Sequence, residues 1–166
     1  MQKPGFSRLD VLVVDPSAHM AALIGQMLRH LKVRLVEEAV NSDGAALLLQ
    51  SHRFGAIMMN DVLMPMNGIA LVRALRAASG GLNRDTPVIM MSSNPDAGEI
   101  AEARDAGITE FLRKPFAAAD IEKRLASILA APRPFIEADA YAGPDRRRRQ
   151  LEHKGGERRA GVKRQA

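Results

Sequence analysis

The sequence predicts an α/β fold: a three-layer, doubly wound sheet of five parallel strands with helices on both faces, followed by a disordered C-terminal tail. Three observations predict it. Five short apolar runs alternate with five amphipathic segments. The connections between them are short, which suits parallel strands joined by right-handed helical crossovers. The first, third and fourth runs are apolar almost throughout, as strands covered on both faces must be.

The elements follow in order. Residues 10–15, DVLVVD, form a β-branched run and the first strand. In residues 17–31, Met20, Leu23, Ile24, Met27, Leu28 and Leu31 recur at helical spacing on one face. Residues 33–39 read as the second strand, and 41–52 as a helix with a polar start. The third strand is FGAIMMND, residues 54–61. A helix over 68–78 closes at Ser79-Gly80-Gly81. Residues 86–92, TPVIMMS, give the fourth strand, and a helix over 96–107 stops at Gly107. TEFLRK, residues 109–114, is the fifth strand, and 117–131 the fifth helix. The domain therefore spans residues 8–131. Residues 132–166 hold three prolines, four glycines and no sustained apolar period. Such a segment cannot offset its ordering entropy, so 132–166 is expected to be largely disordered, with local docking by Phe135, Ile136 and Tyr141.

Composition narrows the function classes. With 166 residues and 46% hydrophobic content, the chain can bury a real core. It has no cysteine, which excludes disulfides and thiolate metal sites. The N-terminus lacks a signal-peptide core, and no apolar run approaches the ~20 residues of a membrane span, so a cytoplasmic protein is expected. Charge is uneven. Residues 1–131 carry 14 Lys/Arg against 14 Asp/Glu, whereas 132–166 carry 10 against 5. Residues 146–166 alone hold nine basic and two acidic side chains. The bland reading of that tail is a solubilising segment; the functional reading is non-specific contact with a polyanion. No aromatic residue follows Tyr141, so base stacking has no support.

In an open parallel sheet, sites form beyond the carboxyl ends of the strands. Those ends carry Asp15 on strand one, Asp61 on strand three, Ser92 on strand four and Lys114-Pro115 on strand five. Two carboxylates, a hydroxyl and an ammonium thus share one edge. A carboxylate can become an aspartyl phosphate, provided cations and donors neutralise the phosphoryl oxygens. Turn chemistry alone would also place Asp at a strand end, and Asp15 followed by Pro16 would suit a helix start. His19, His30 and His52 show no metal-ligand grouping.

The segments VLVVD, MMNDVLMPMNG, PVIMMSS and FLRKPF, taken together, resemble the signature segments of response-regulator receiver domains of the CheY-like, flavodoxin-like fold. The resemblance covers about residues 8–131 and implies strand order 2-1-3-4-5. It implies that Asp61 accepts a phosphoryl group from a histidine kinase or phosphotransfer protein. It further implies that Lys114 pairs with that group, that Ser92 donates to it, and that Phe111 is an aromatic switch. Mg²⁺ would be held by Asp15, Asp61 and the Leu63 backbone carbonyl. The Lys114-Pro115 bond is often cis in the family. The tail stretch FIEADAYAGPDRRRR resembles an extension of stand-alone receivers. Any enzymatic role is limited to the receiver's own phosphoryl transfer and autodephosphorylation.

Two features depart from the family pattern. Pro16 stands where a second acid, typically a direct Mg²⁺ ligand, is usual, which predicts weak Mg²⁺ binding. The MPMNG loop is one residue short, which predicts a tighter turn beside Asp61. The leading expectation is a phosphorelay response regulator that signals to an unknown downstream protein by contact. The alternatives are a degenerate receiver that binds partners without phosphorylation, and a nucleic-acid-binding adaptor that acts through the basic tail.

Overall fold

The structure, a computed structural model, describes residues 5–147. In chain order the elements are β1 (Asp10–Val14), α1 (Ala18–His30), β2 (Leu35–Ala39), α2 (Ser42–Ser51), β3 (Ala56–Asn60), α3 (Gly68–Ala77), β4 (Val88–Ser92), α4 (Ala97–Ala106), β5 (Glu110–Arg113) and α5 (Ala118–Ala130). The five strands are parallel, in the order β2-β1-β3-β4-β5. Each expected element is present, shortened by one to a few residues at its ends.

Every residue of β1, β3 and β4 is buried. Side chains on a strand alternate between faces, so each of these strands feeds two cores. Val11, Val13, Met58, Ile89 and Met91 join Ile24 and Leu28 of α1 and Ile121, Leu125 and Ile128 of α5. Leu12, Val14, Ile57, Met59, Val88 and Met90 join residues of α2, α3 and α4 on the other face. That two-sided burial explains why these runs read as continuously apolar. In α1 the expected apolar face holds, with one difference: Leu23 is 37% exposed. It lies about 100° around the helix from Ile24, off the buried stripe.

Four helices start on side-chain caps, and all four starts lie at the carboxyl edge of the sheet. Ser17, Asn41, Asn67 and Asp96 accept from the backbone N–H of Met20, Gly44, Ala70 and Glu99. These caps satisfy helix-end donors and hold the loops of that edge in place. Ser17 is the cap of α1, so Asp15 and Pro16 precede the cap.

The sequence reading assigns no element beyond Ala131, and here the structure differs. Residues 135–144 form an antiparallel hairpin of β6 (Phe135–Ala138) and β7 (Tyr141–Pro144). Phe135 and Tyr141 are half-buried, while Ile136 stays exposed. The hairpin has no amphipathic alternation of its own. It is held by long-range contacts such as the Arg84–Glu137 ion pair, which local periodicity cannot register. The remaining disorder expectation falls largely on residues 148–166, outside the described residues.

At the amino end of β1, Asp10 is 3% exposed. Arg34 Nε donates to its Oδ1 at 2.7 Å, and Arg34 Nη2 and His52 Nε2 both reach Oδ2. The Arg34 hydrogen bonds outweigh desolvation and, with His52, hold the Asp10 carboxyl below its usual 3.8. A carboxyl lowered on folding contributes stability that is complete above its unfolded value and is lost as pH falls through the folded value. Urea midpoints of the native chain and Asp10→Asn are therefore expected to differ most at neutral pH. Their difference should shrink once pH drops below about 4.

Candidate functional site

The strand order reverses direction between β1 and β3, and a crevice opens at the carboxyl ends where that happens. Asp15 follows β1 and Asp61 follows β3, one on each side of that switch point. Register carries the edge onward: Asp61 N donates to Met91 O at 2.9 Å, and Lys114 N donates to Ser92 O at 2.8 Å. Asp15, Asp61, Ser92 and Lys114 are thereby gathered at one sheet edge.

Lys114 binds this edge together. Its Nζ donates to Asp15 Oδ2 at 2.6 Å and to Asn60 Oδ1 at 2.8 Å. Asp15 is 2% exposed and the Lys114 side chain 16%. The other Asp15 oxygen accepts from Ser17 N at 2.9 Å. Asn60 Nδ2 in turn donates to Val62 O at 2.8 Å. One amide therefore fixes both the lysine and the first turn of the loop after Asp61. Sequence reasoning missed this role of Asn60. The only signal was a polar residue inside an apolar strand, immediately before the carboxylate. An ammonium has three donors, and two are engaged here among the described residues.

Asp61 is half-buried, and its Oδ1 accepts from Val62 N at 2.8 Å. The loop behind it packs closely on its surroundings. Gly68 N donates to Asp61 O at 2.8 Å, and a Cβ on Gly68 would meet Asn60 O at 2.2 Å. The loop is also pinned to α2: Ser42 N donates to Met64 O, and Met66 N donates to Ser42 Oγ, both at 3.0 Å. The Met64-Pro65 and Lys114-Pro115 bonds are cis; only the second was foreseen. The side chains of Val40, Val62, Met64 and Met66 stand exposed on these loops, leaving an apolar rim.

Ser92 ends β4 and is 2% exposed, whereas Ser93 is exposed. Phe111 on β5 is half-buried. Together with Asp61, Leu63, Met90, Glu99 and Ala103, it lines a cavity of about 360 Å³.

The oxygen donors at this edge are of the hard kind that Mg²⁺ takes. They number two carboxylates, Asp15 and Asp61, with the Leu63 carbonyl in the loop after Asp61. Both Asp15 oxygens already carry a hydrogen bond, and Pro16 offers no further donor. Among the described residues no group of three or more His, Cys, Asp or Glu converges on a metal position. The set fits an ion that keeps most of its waters. Of the histidines, His52 bonds Asp10 at the far end of the sheet. The basic residues 148–166, and with them most of the polyanion contact expected of 146–166, lie outside the described residues.

A family model described as "Response regulator receiver domain" matches residues 11–126. Among curated proteins, the chemotaxis protein CheY of Pseudomonas aeruginosa is 29% identical over 120 residues, which is 72% of this chain and 95% of that protein. A CheY homolog of Campylobacter jejuni is 31% identical over 122 residues, 73% of this chain and 92% of that protein. Among solved structures, CheY4 of Vibrio cholerae matches with a TM-score of 0.67 and 26% identity, covering 73% of this chain and 98% of that one. The receiver domain of a Pseudomonas aeruginosa sensor histidine kinase matches with a TM-score of 0.67 and 27% identity, covering 75% and 99%. That structure has a magnesium ion coordinated in its active site cleft.

The close approach at Gly68 gives a direct test. In Gly68→Ala the new methyl collides with backbone, which must shift and carry Asp61 with it. Overpacking of this kind costs about 1–3 kcal/mol, read as a lowered denaturation midpoint.

Proposed function

The chain belongs to the response regulator receiver family, and from that premise we propose that it accepts a phosphoryl group on Asp61 from a histidine kinase or phosphotransfer protein. The observation that carries this reading is the Lys114 ammonium held between Asp15 and Asn60 at the switch point beside Asp61. Transfer forms a bond between an Asp61 carboxylate oxygen and phosphorus. It breaks the phosphorus–nitrogen bond of the donor phosphohistidine, whose imidazole leaves with the electron pair and takes up a proton. The acceptor must be ionised and reachable; Asp61 is half-buried, with one oxygen held by Val62 N–H.

Charge on the phosphoryl oxygens needs fixed donors. Lys114 supplies a cation whose position is set before the reaction, and Ser92 supplies a hydroxyl from the adjacent strand. Phe111, in the wall of the Asp61 cavity, is the side chain through which occupancy is felt. Mg²⁺, when bound through Asp15, Asp61 and the Leu63 carbonyl, adds positive charge at the same oxygens. Pro16 removes one charged ligand, so this binding is weak. The receiver acts in the cytoplasm and passes its signal to a downstream protein by contact. Among the described residues no helix is long and apolar enough to cross a membrane.

Pro16 also favours a second reading, a receiver that binds its partner without being phosphorylated. Two experiments separate them. Incubation with a phosphodonor and Mg²⁺ is expected to add one phosphoryl mass to the intact chain and none to Asp61→Asn. An unchanged native mass supports the second reading, and an adduct of equal yield in the variant removes Asp61 from the chemistry. Replacing Pro16 with Asp restores a carboxylate, and calorimetric titration is expected to show tighter Mg²⁺ binding. Equal affinity would mean that Pro16 lies outside the ion's reach.

A further inference from the structure

Helix α4 is weakly anchored by its own side chains. It buries only Ala103 and Ala106, whereas α1 buries Ile24 and Leu28, and α5 buries Ile121, Leu125 and Ile128. Its one large apolar residue, Ile100, is 41% exposed. Two small side chains give little burial energy to hold a helix in one place.

The two ends of α4 meet different parts of the protein. Glu99, Glu102 and Ala103 line the cavity that contains Asp61 and Phe111. The other end terminates in Gly107 at φ 104°, and there the hairpin sits directly on it. A Cβ on Gly107 would meet Ala142 O and Arg76 Cγ at 3.0 Å, and a Cβ on Gly143 would lie 3.0 Å from Gly107 Cα. Arg146 pairs with Asp105 at 3.1 Å and lies 3.9 Å from the Tyr141 ring centroid.

A buried cation underlies this contact. Arg76 of α3 is 2% exposed; its Nε donates to Gly107 O at 3.0 Å and its Nη1 to Arg84 O at 2.6 Å. Arg84 answers with Nε to Arg76 O at 2.8 Å and Nη2 to Glu137 at 2.8 Å, its guanidinium 5.1 Å from the Phe135 ring. Among the described residues Arg76 Nη2 has no partner, and burial pushes the pKa of this guanidinium down to about 10. The interlock of α3, α4 and the hairpin thus runs through one buried guanidinium and the arginine it faces.

We propose that the hairpin of residues 135–144 is a regulatory strap on α4. Seated, it holds α4 against the Asp61 cavity; unseated, it releases the helix. The state of Asp61 and the seating of the hairpin are then linked in both directions, as any two events that bias one element must be. The coupling half of the proposal rests on Asp61 being the phosphoacceptor. The strap lies beyond residue 126, where the family match ends, so the receiver body alone does not supply it.

The full chain carries its own reporter, because Tyr141 is its single tyrosine and it has no tryptophan. Acetyl phosphate with Mg²⁺ is expected to change Tyr141 emission in step with the Asp61 mass adduct, and to leave Asp61→Asn unchanged. In Gly143→Val, amide exchange across residues 97–106 is expected to rise roughly tenfold while α1 and α5 stay protected. The double variant Asp105→Ala, Glu137→Ala removes only exposed ion-pair partners and should raise α4 exchange in the same direction. Unchanged α4 exchange in that double variant and in Gly143→Val overturns the strap. An Asp61 adduct without any Tyr141 response overturns the coupling. Absence of any adduct removes the phosphoacceptor reading and the coupling with it, while the exchange arm still decides whether the hairpin holds α4.

Discussion

The hydrogen-bonded ion pair between Lys114 and Asp15 joins residues far apart in sequence across the crevice. Burying two charges is costly, and their attraction repays that cost only when the remaining donors and acceptors are satisfied. Here Ser17 N–H takes the second Asp15 oxygen, and Asn60 takes a second Lys114 donor. The pair thus constrains the last residues of β1, β3 and β5 together. Removing one partner would leave an uncompensated charge in a nearly closed edge, so the rest of the site inherits its geometry from this contact.

The neighbouring features serve that constraint. The caps at Ser17, Asn41, Asn67 and Asp96 fix four loops around the crevice. The short loop after Asp61 is closed by Gly68 on one side and by Ser42 on the other. With backbone contacts of this kind, Asp61 is presented from a turn that has little freedom of its own. The exposed apolar rim formed by Val40, Val62, Met64 and Met66 stands on the same loops and departs from the polar character of the crevice.

Much of this was legible in the sequence, for a physical reason. Strands buried on both faces must be apolar throughout, so β1, β3 and β4 mark themselves, and the polar residue that ends each one falls at the functional edge. The sequence places Asp15, Asp61 and Ser92 at that edge by this reasoning, and Lys114 by the end of β5. Asn60 was missed, because its importance lies in which two groups its amide bridges, and composition does not carry that. Arg76 carries no mark in the sequence either, because its partners are the backbone carbonyls of Gly107 and Arg84. The hairpin escaped because its strands present no alternating face and are held by Arg84, Gly107 and Asp105 in distant parts of the chain. Leu23 shows the opposite error: a hydrophobic residue near the right spacing that still faces solvent.

The contact between Gly107 and Gly143 has a consequence for transplanting this appendage. Two stretches of backbone approach closely there, with the Tyr141 and Arg76 side chains packed beside them. The hairpin could not be grafted onto another domain of the same fold by copying residues 135–144 alone. The recipient would need a glycine at the end of its fourth helix to let the second strand lie down. It would also need the arginine of the third helix beneath, with Arg84 to cap that helix and grip Glu137. The portable unit is thus a discontinuous set of positions drawn from three separate regions of the chain. An appendage with that many fittings in its host is a part of the domain's design, whatever its place at the end of the sequence suggests.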